Sequence, residues 1–334
     1  MNELRILFLE LTKRCNLECV YCRAGKVPEE ELSKDEVLGL VDEVASFARP
    51  LLIVTGGEPL MREDALEVAS HASRKGLPVA LATNGTLIDR NLAEDIRRAG
   101  IRRVSVSLDG AKPQVHDRMR GVKGAFDAAL SGIGHLREAG VEVQVNTTVT
   151  RQNVSEVPEV LELCLKLGLR ALHLFMFVPV GCGMEVGESV QLPPEDCDDV
   201  LRWLQGKSSD VPIELRATCA PQYFRIAGAN SRRRLGCLAG VSACFISSAG
   251  DVQPCGYLPL SAGNIKERSI KEIWEGAEMF RSLRDPARLK GRCGACEYRY
   301  VCGGCRARAF AKGGDPLGED PCCAYVPGTN MGAR

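Results

Sequence analysis

Leu11-Thr-Lys-Arg-Cys15-Asn-Leu-Glu-Cys19-Val-Tyr21-Cys22 directly follows an apolar run, Leu4 to Leu11, that we predict to be a strand buried on both faces. The three thiolates can face one point only if the chain loops around it. Three protein ligands leave a fourth position of a metal centre open. The alternatives are half of a zinc site or three ordinary buried cysteines, although a zinc site usually shows a fourth Cys or His at a recognisable spacing.

The composition excludes several classes of function. The chain has 334 residues, of which 45% are hydrophobic and 26% are charged, as in water-soluble globular proteins. Lys+Arg and Asp+Glu balance at 43 each, so there is no overall basic field for nucleic acid. We expect neither a signal peptide nor a membrane-spanning run. We expect a cytoplasmic monomer, without nucleic-acid or membrane partners, whose sixteen cysteines bind metal rather than form disulfides.

Apolar strands alternate with helices over the first part of the chain, and most of these helices end at a glycine. This rhythm predicts an α/β fold with a parallel sheet and right-handed crossovers. We expect a partial or full barrel rather than a flat doubly wound sheet, because no dinucleotide fingerprint follows the first strand. The six strands are predicted at residues 4–11, 51–55, 78–83, 103–108, 141–149 and 171–178.

Polar and glycine residues cluster where these strands end. In parallel α/β folds the carboxyl edge of the sheet holds the active site, and the cysteine loop lies on that edge. The other strand ends on the same edge read Thr55-Gly-Gly-Glu58, Thr83-Asn-Gly85, Ser107-Leu-Asp-Gly110 and Asn146-Thr-Thr148.

The regular alternation of strands and helices ends near residue 181. We predict a helix over 195–205, one more strand at 213–217, a hairpin over 243–254 and a helix over 269–283. We place a first domain at residues 1–215 and a cysteine-rich second domain at residues 216–334.

The spacing Cys15-x3-Cys19-x2-Cys22, with aromatic Tyr21 before the last cysteine, resembles the radical S-adenosylmethionine (SAM) superfamily. Gly56-Gly57-Glu58-Pro59 matches that family's amino-group motif. The resemblance implies a partial (β/α)6 TIM-like barrel and a 4Fe–4S cluster on the three cysteines. SAM would chelate the fourth iron, and its reduction would release a 5′-deoxyadenosyl radical that takes a hydrogen atom from the substrate.

The resemblance also implies roles for residues at the carboxyl edge. Glycine lets the backbone approach the bound methionine, and Glu58 can accept from its ammonium group. An ordinary turn is the alternative explanation for Gly57 and Glu58. For Ser107, Asp109 and Asn146 the alternative is helix capping or turn formation. The residues expected to contact SAM are Tyr21, Gly56, Gly57, Glu58, Pro59, Thr83, Asn84, Ser107, Asp109 and Asn146.

The C-terminal cysteines resemble the SPASM extension of radical enzymes, which carries auxiliary 4Fe–4S clusters. By that resemblance one cluster would use Cys237, Cys244, Cys255 and Cys305, and the other Cys293, Cys296, Cys302 and either Cys322 or Cys323. Cys302 and Cys305 are two residues apart, where three is usual in that extension. The alternatives are a zinc ribbon or a single auxiliary cluster. The remaining cysteines, which we expect to pack in the protein, are Cys164, Cys182, Cys197 and Cys219.

From about residue 4 to 327 the chain is similar to the alternative heme b synthases of bacteria and archaea. Stretches that carry this likeness include Leu172-His-Leu-Phe-Met-Phe-Val-Pro-Val-Gly-Cys-Gly183 and Ala217-Thr-Cys-Ala-Pro-Gln-Tyr-Phe224. The resemblance implies oxidative decarboxylation of two propionates of iron-coproporphyrin III to vinyl groups. One electron is left over at each propionate, so we expect a low-potential electron donor, an electron acceptor, and an auxiliary cluster as first acceptor.

A flat, polyanionic tetrapyrrole needs cations and an apolar slot. Most of the arginines could equally be solvated surface charges, and His173 could be a satisfied core histidine. The candidates for carboxylates are Arg5, Arg118, Arg120, Arg216, Arg225 and the run Ser231-Arg-Arg-Arg234, and those for the slot are His173, Phe175, Met176, Phe177 and Tyr223.

Other functions remain open. One is a different tetrapyrrole enzyme, such as the siroheme-derived deacetylase or the heme d1 enzyme, and another is a peptide-modifying SPASM enzyme. A non-enzymatic electron carrier or metal store is a third reading. The open three-cysteine site argues against it, because electron carriers close their clusters with four ligands.

Overall fold

The computed structural model describes residues 3–25, 30–228 and 236–328, so the candidate run Ser231–Arg234 lies outside the described residues. Seven strands come first, namely β1 (Ile6–Glu10), β2 (Leu51–Thr55), β3 (Val79–Thr83), β4 (Arg103–Ser107), β5 (Glu142–Val149), β6 (Ala171–Met176) and β7 (Glu214–Thr218). The helices between them are α1 (Lys34–Phe47), α2 (Ala65–Arg74), α3 (Arg90–Arg98), α4 (Pro113–Arg120), α5 (Ala125–Glu138), α6 (Val157–Lys166), α7 (Gly183–Val190) and α8 (Pro194–Lys207). The remainder comprises α9 (Tyr223–Ile226), β8 (Ala243–Ile246), β9 (Val252–Gln253), α10 (Ile270–Gly276), α11 (Glu278–Arg284), α12 (Gly291–Ala295) and α13 (Arg306–Gly313).

The sheet confirms the predicted parallel architecture. Its order is β7-β6-β5-β4-β3-β2-β1-β8-β9, and every pair from β1 to β7 is parallel. Each crossover from β1 to β7 therefore moves one strand in the same direction, as in a barrel, without the reversal of a doubly wound sheet. All seven carboxyl ends meet at one edge.

Strand alternation separates a helix-covered face from a second face, which we call the inner face. Leu7 and Leu9 of β1 are buried in the hydrophobic core with the apolar sides of the surrounding helices. Phe8 and Glu10 alternate with them and so lie on the inner face. The core therefore supports the sheet from one side and leaves the inner face for other contacts.

The cysteine-rich region continues this sheet. Strand β8 pairs in parallel with β1 and forms a hairpin with β9, which confirms the predicted hairpin. Gly250 in its turn has φ +93°, and an added Cβ would lie 2.9 Å from the Asn264 side-chain oxygen. The predicted boundary between residues 215 and 216 falls inside β7, and the domain division stays a prediction.

The helix predicted over 269–283 is wrong in one respect, because the structure has two helices there. Ala277 is extended (φ −67°, ψ 130°) and separates α10 from α11. The rings of Trp274 and Phe280 pack 5.3 Å apart across this break. Gly276, a poor helix former, ends the first helix. Within the described ranges, no helix combines the length and apolarity needed to cross a membrane.

Leu9→Ala is expected to lower the free energy of unfolding by about 2–5 kcal/mol, because it leaves a cavity at a fully buried position of β1. Urea unfolding followed by circular dichroism measures the change. Leu87→Ala, at a site 39% exposed, is the control and should stay within about 0.5 kcal/mol of the unmodified protein. Equal losses of stability in both variants would contradict the burial of Leu9 in the core.

Candidate active site

The three-cysteine loop follows β1 at the carboxyl edge of the sheet. The thiols of Cys15, Cys19 and Cys22 are free and partly exposed. The Leu17 backbone N–H lies 3.4 Å from Cys15 Sγ, and the Arg120 guanidinium lies 3.7 Å from Cys19 Sγ. Burial raises the pKa of the Cys15 and Cys19 thiols, but these donors and a bound metal group favour the thiolates. The donor set therefore fits an iron–sulfur cluster.

The Gly56-Gly57 turn after β2 holds the entry to this loop. The Gly57 N–H donates to the Thr12 carbonyl at 2.7 Å, and the Glu58 N–H donates to the Arg14 carbonyl at 2.7 Å. A Cβ on Gly57 would lie 2.4 Å from the Arg14 carbonyl oxygen, and one on Gly56 would lie 2.6 Å from that of Thr12. Both glycines therefore allow the backbone of the turn to approach the chain segment that precedes Cys15 closely. Their contact with SAM stays a prediction.

The Glu58 carboxylate, which is fully buried, ties the end of β2 to the end of β3. It accepts from the Thr83 hydroxyl at 2.8 Å, the Asn84 N–H at 2.8 Å and the Leu60 N–H at 3.1 Å. Burial raises its pKa, and these hydrogen bonds oppose that rise. Pro59 begins the short 3-10 turn that follows. A carboxylate has about four acceptor sites, so the predicted ammonium contact would use the remaining one.

Asp109, fully buried after β4, is the centre of a second network. Its carboxylate accepts from the Arg120 guanidinium at 2.8 Å, from the Thr148 N–H at 2.8 Å and from the Tyr21 hydroxyl. Burial raises the pKa of Tyr21 well above its ordinary value, so the hydroxyl keeps its proton. Arg120 thus connects Asp109 to Cys19. Sequence reasoning considered this arginine only for substrate carboxylates, since nothing in its spacing indicated the cysteine loop.

A row of polar residues crosses the inner face. Ser107 of β4, Asn146 of β5, His173 of β6 and Arg216 of β7 are neighbours in register. Gln144 donates to the Asn146 side-chain oxygen at 2.7 Å and lies 3.0 Å from His173 Nδ1. The structure therefore brings together predicted SAM-contacting residues and two of the predicted substrate residues.

The His173 ring is partnered at both nitrogens, since its Nε2 lies 3.4 Å from a Glu214 carboxylate oxygen. Burial lowers its pKa to about 4, so the imidazole is neutral at neutral pH. The Arg216 Nε pairs with the same Glu214 oxygen at 2.5 Å, while its side chain remains exposed. Phe175 is partly exposed on this face, whereas Met176 packs into the core on the other side.

The remaining substrate candidates lie elsewhere. Arg118 is exposed on α4, and Arg5 is exposed in a surface ion pair. Arg225 pairs with Asp198 at 2.7 Å, with both side chains largely buried. Tyr223 begins α9 and is partly buried. His173 and Arg216 are direct neighbours across β6 and β7.

Four thiols from separate parts of the chain come together, and we call them the first thiol set: Cys219, Cys237, Cys255 and Cys305. Burial raises the pKa of the Cys219 thiol well above its ordinary value, and the other three thiols add to that rise. Among the described residues, Cys219 is the sole non-glycine with a positive φ, at 54°. Such strain costs on the order of 1–3 kcal/mol and is concentrated at functional sites.

Cys244 lies apart from this set. It is fully buried in β8, its thiol donates to the Gln253 carbonyl at 3.6 Å, and burial raises its pKa to about 12. The resemblance implies that Cys244 is a ligand together with Cys237, and this assignment stays a prediction. In the structure the thiol of Cys219 interacts electrostatically with those of Cys237, Cys255 and Cys305. Strand pairing explains the burial of Cys244, because it stands opposite Leu7 of β1 on the core side.

A second group of cysteines lines a cavity in the C-terminal region, and we call it the second thiol set: Cys293, Cys296, Cys302 and Cys323. Backbone N–H groups lie 3.4 Å from three of the sulfurs, those of Tyr298 at Cys296, Gly304 at Cys302 and Asp320 at Cys293. In the described part of the chain, no three His, Cys, Asp or Glu side chains are close enough for a single metal ion. The N–H donors beside these sulfurs suit the thiolate ligands of an iron–sulfur cluster.

Cys322 does not line this cavity. It is buried and accepts a hydrogen bond from the thiol of Cys197 on α8, which lowers the Cys322 pKa. Cys323, by contrast, faces the cavity. Between the two cysteines that sequence reasoning left open, the geometry favours Cys323. Cys164 is buried in α6, as expected for packing.

Comparison with known proteins agrees with this geometry. Residues 9–164 match the radical SAM superfamily, and residues 237–305 match the SPASM iron–sulfur cluster-binding domain. The chain is 47% identical to the AdoMet-dependent heme synthase of Methanosarcina barkeri over 98% of both chains. It is 32% identical to the Fe-coproporphyrin III synthase of the same organism, over 95% of this chain and 87% of that one. Streptococcus suis SuiB bound to S-adenosylmethionine shares the fold, with a TM-score of 0.82 at 16% identity, over 97% of this chain and 78% of SuiB.

Gly57→Ala is expected to lower several-fold the iron held by the three-cysteine loop, because the added Cβ collides with the Arg14 carbonyl. Iron analysis and the SAM-responsive electron paramagnetic resonance (EPR) signal measure this after anaerobic reconstitution. Gly134→Ala on α5, where no atom lies within 4 Å of the added Cβ, is the matched control. An unchanged signal in Gly57→Ala would refute the clamping role of the turn.

Proposed function

The chain belongs to the radical SAM superfamily and carries a SPASM domain, and on that premise we propose that it is a heme b synthase. It would oxidatively decarboxylate two propionates of iron-coproporphyrin III to vinyl groups. The observation that carries this substrate is the 47% identity to a heme synthase over 98% of both chains. The 32% identity to an Fe-coproporphyrin III synthase is lower at similar coverage, which favours decarboxylation.

We propose that Cys15, Cys19 and Cys22 hold the first 4Fe–4S cluster and that SAM completes its open position. When bound, this group supplies a 5′-deoxyadenosyl radical. The rest of the site keeps the loop in place. The Gly57 turn holds the loop's entry, and the Asp109–Arg120 pair holds its far end.

The inner face offers what a tetrapyrrole with carboxylate side chains requires. The neutral His173 ring and the exposed Arg216 guanidinium stand side by side, and Phe175 supplies an apolar surface. We propose that Arg216 pairs with a propionate carboxylate in exchange for its exposed contact with Glu214. Such an exchange costs little, because surface ion pairs are worth about 0–1 kcal/mol.

In the proposed reaction each propionate loses one hydrogen atom, carbon dioxide and one electron. Removal of one hydrogen atom from the propionate β-carbon leaves a carbon radical. The bond to the carboxylate then breaks and releases carbon dioxide. One of its two electrons pairs with the radical electron to form the vinyl double bond, and the other leaves the substrate. Each propionate therefore needs an acceptor for one electron.

We propose that the two thiol sets hold auxiliary 4Fe–4S clusters that take this electron. The first thiol set includes the strained Cys219, and the second has N–H donors at three sulfurs. A low-potential donor for the first cluster and an external acceptor complete the proposal, with the enzyme acting as a cytoplasmic monomer.

The reconstituted enzyme, given SAM, a strong reductant and iron-coproporphyrin III, is expected to form 5′-deoxyadenosine and heme b. Mass spectrometry should show a product lighter by carbon dioxide and two hydrogens for each propionate. Formation of 5′-deoxyadenosine with an unchanged porphyrin would support a radical SAM enzyme but refute the proposed substrate. A Cys15, Cys19 and Cys22 to Ala triple variant is the inactive control.

Cys219→Ser is expected to remove one auxiliary cluster's iron and EPR signal, whereas Cys244→Ser should keep both. The reason is that the thiol of Cys219 interacts electrostatically with the other thiols of its set, whereas Cys244 is packed in β8. Cys323→Ser and Cys322→Ser form the equivalent pair for the second set. The opposite pattern in either pair would reject that ligand assignment.

A further inference from the structure

Helix α13 begins with two buried arginines at a position that ordinarily disfavours cations. Arg306 and Arg308 lie in its first turn, and both are fully buried. The N-terminal end of a helix carries partial positive charge, so a cation there is unfavourable. A buried cation also requires a negative partner. The two arginines meet this requirement in different ways.

Arg308 has a carboxylate partner. Its Nε and Nη2 atoms lie 2.9 and 3.0 Å from the two oxygens of Asp320, which is also fully buried. The pair is therefore bidentate and neutral overall. At the neighbouring Cys305 the charge of Asp320 therefore partly offsets that of Arg308.

Arg306 makes no ion pair with a carboxylate among the described residues. Asp315 is near enough for Arg306 to help lower its pKa, but its carboxylate pairs with Lys290 at 2.6 Å. Its guanidinium donates to the carbonyls of Gly304 at 3.1 Å, Pro316 at 3.0 Å and Gly318 at 2.7 Å. The remaining contact is Nη2 to Cys293 Sγ at 3.5 Å. Carbonyls satisfy the N–H groups but carry no charge. Among the groups that accept from the Arg306 guanidinium, the Cys293 sulfur is thus the one that can carry negative charge.

The packing around Gly304 enforces this contact. Gly304 has φ +61°, and an added Cβ would lie 2.5 Å from Arg306 Nη2 and 2.8 Å from Cys293 Sγ. A side chain at residue 304 would therefore enter the space between guanidinium and sulfur. The contact is built into the fold rather than left to a mobile surface arginine.

We propose that Arg306 is a positioning residue that raises the reduction potential of the cluster held by the second thiol set, making it the stronger electron acceptor of the two auxiliary clusters. This inference rests on the ligand sets proposed above. A reduced cluster carries one more negative charge than an oxidised one, so a nearby positive charge and an N–H donor favour reduction. The first thiol set lies beside Arg308, whose charge is partly offset by its own partner Asp320.

Asp320 connects the two sets. Its carboxylate accepts from the Cys305 N–H at 2.8 Å, and its own N–H lies 3.4 Å from Cys293 Sγ. One residue therefore contacts a cysteine of each set. One electron leaving the substrate would oxidise it, reduce the first auxiliary cluster, and then pass to the second, which returns the first to its oxidised state.

The test is an EPR-monitored redox titration of the full-length reconstituted protein and its Arg306→Met and Arg306→Lys variants. Cys323→Ser identifies which signal belongs to the second thiol set. Arg306→Met should shift the midpoint potential of that signal to lower values and leave the other two clusters unshifted. Arg306→Lys, which keeps the charge, should restore most of the shift.

Arg292→Met is the matched control. Arg292 lines the same cavity, but its side chain is 41% exposed and paired with Glu319, and it donates to the Cys323 carbonyl at 3.2 Å rather than to a sulfur. Its loss should therefore move the potential much less than the loss of Arg306. An unshifted second-set signal in Arg306→Met, or an equal shift in Arg292→Met, overturns the inference. Loss of the second cluster from both Arg306 variants also overturns the inference. Loss from Arg306→Met alone supports it, because the positive charge that Lys retains would then be what favours the cluster. If the unmodified protein shows no second-set signal, the proposed ligand set itself is wrong.

Discussion

The backbone contact between the Gly57 turn and the chain from Thr12 to Arg14 is the constraint on which the candidate site depends. Two N–H groups of the turn donate to carbonyls of that segment at 2.7 Å, and no side chain could fit between them. The contact fixes the cysteine loop to the carboxyl end of β2. A loop that must present three thiols to one cluster needs such a fixed base, because small displacements would separate the sulfurs.

Buried carboxylates at three places in the chain hold strand ends and loops in position. Glu58 joins β2 to β3, Asp109 joins β4 to the cysteine loop, and Asp320 joins the two thiol sets. Buried ion pairs often contribute little net stability, because desolvation offsets the Coulomb attraction. Removing one partner, however, leaves an unpaired buried charge. Each of these carboxylates therefore specifies one arrangement of the strand ends and loops around it.

The same logic separates the two C-terminal thiol sets. Their sulfurs are chemically alike, but the arginine beside one set, Arg308, is paired with Asp320, whereas the arginine beside the other, Arg306, makes no ion pair among the described residues. Differences in charge and hydrogen bonding around a cluster set its potential. Two similar clusters on one chain can thus be given different roles by residues that are not themselves ligands.

The sequence by itself determined the parallel α/β fold, the cysteine loop at its carboxyl edge and the class of chemistry, since strand rhythm and ligand spacing are local. Only the tertiary structure decided that Cys244 is buried in β8 and that Cys323 rather than Cys322 lines the cavity of the second thiol set. Both choices depend on which way a side chain points after strand pairing and loop packing. The contacts of Arg120 with Cys19 and of Arg306 with Cys293 join residues from different elements, and no spacing in the sequence encodes them. Ligand types and local periodicity can be read along the chain, whereas partners across the fold are set by long-range packing.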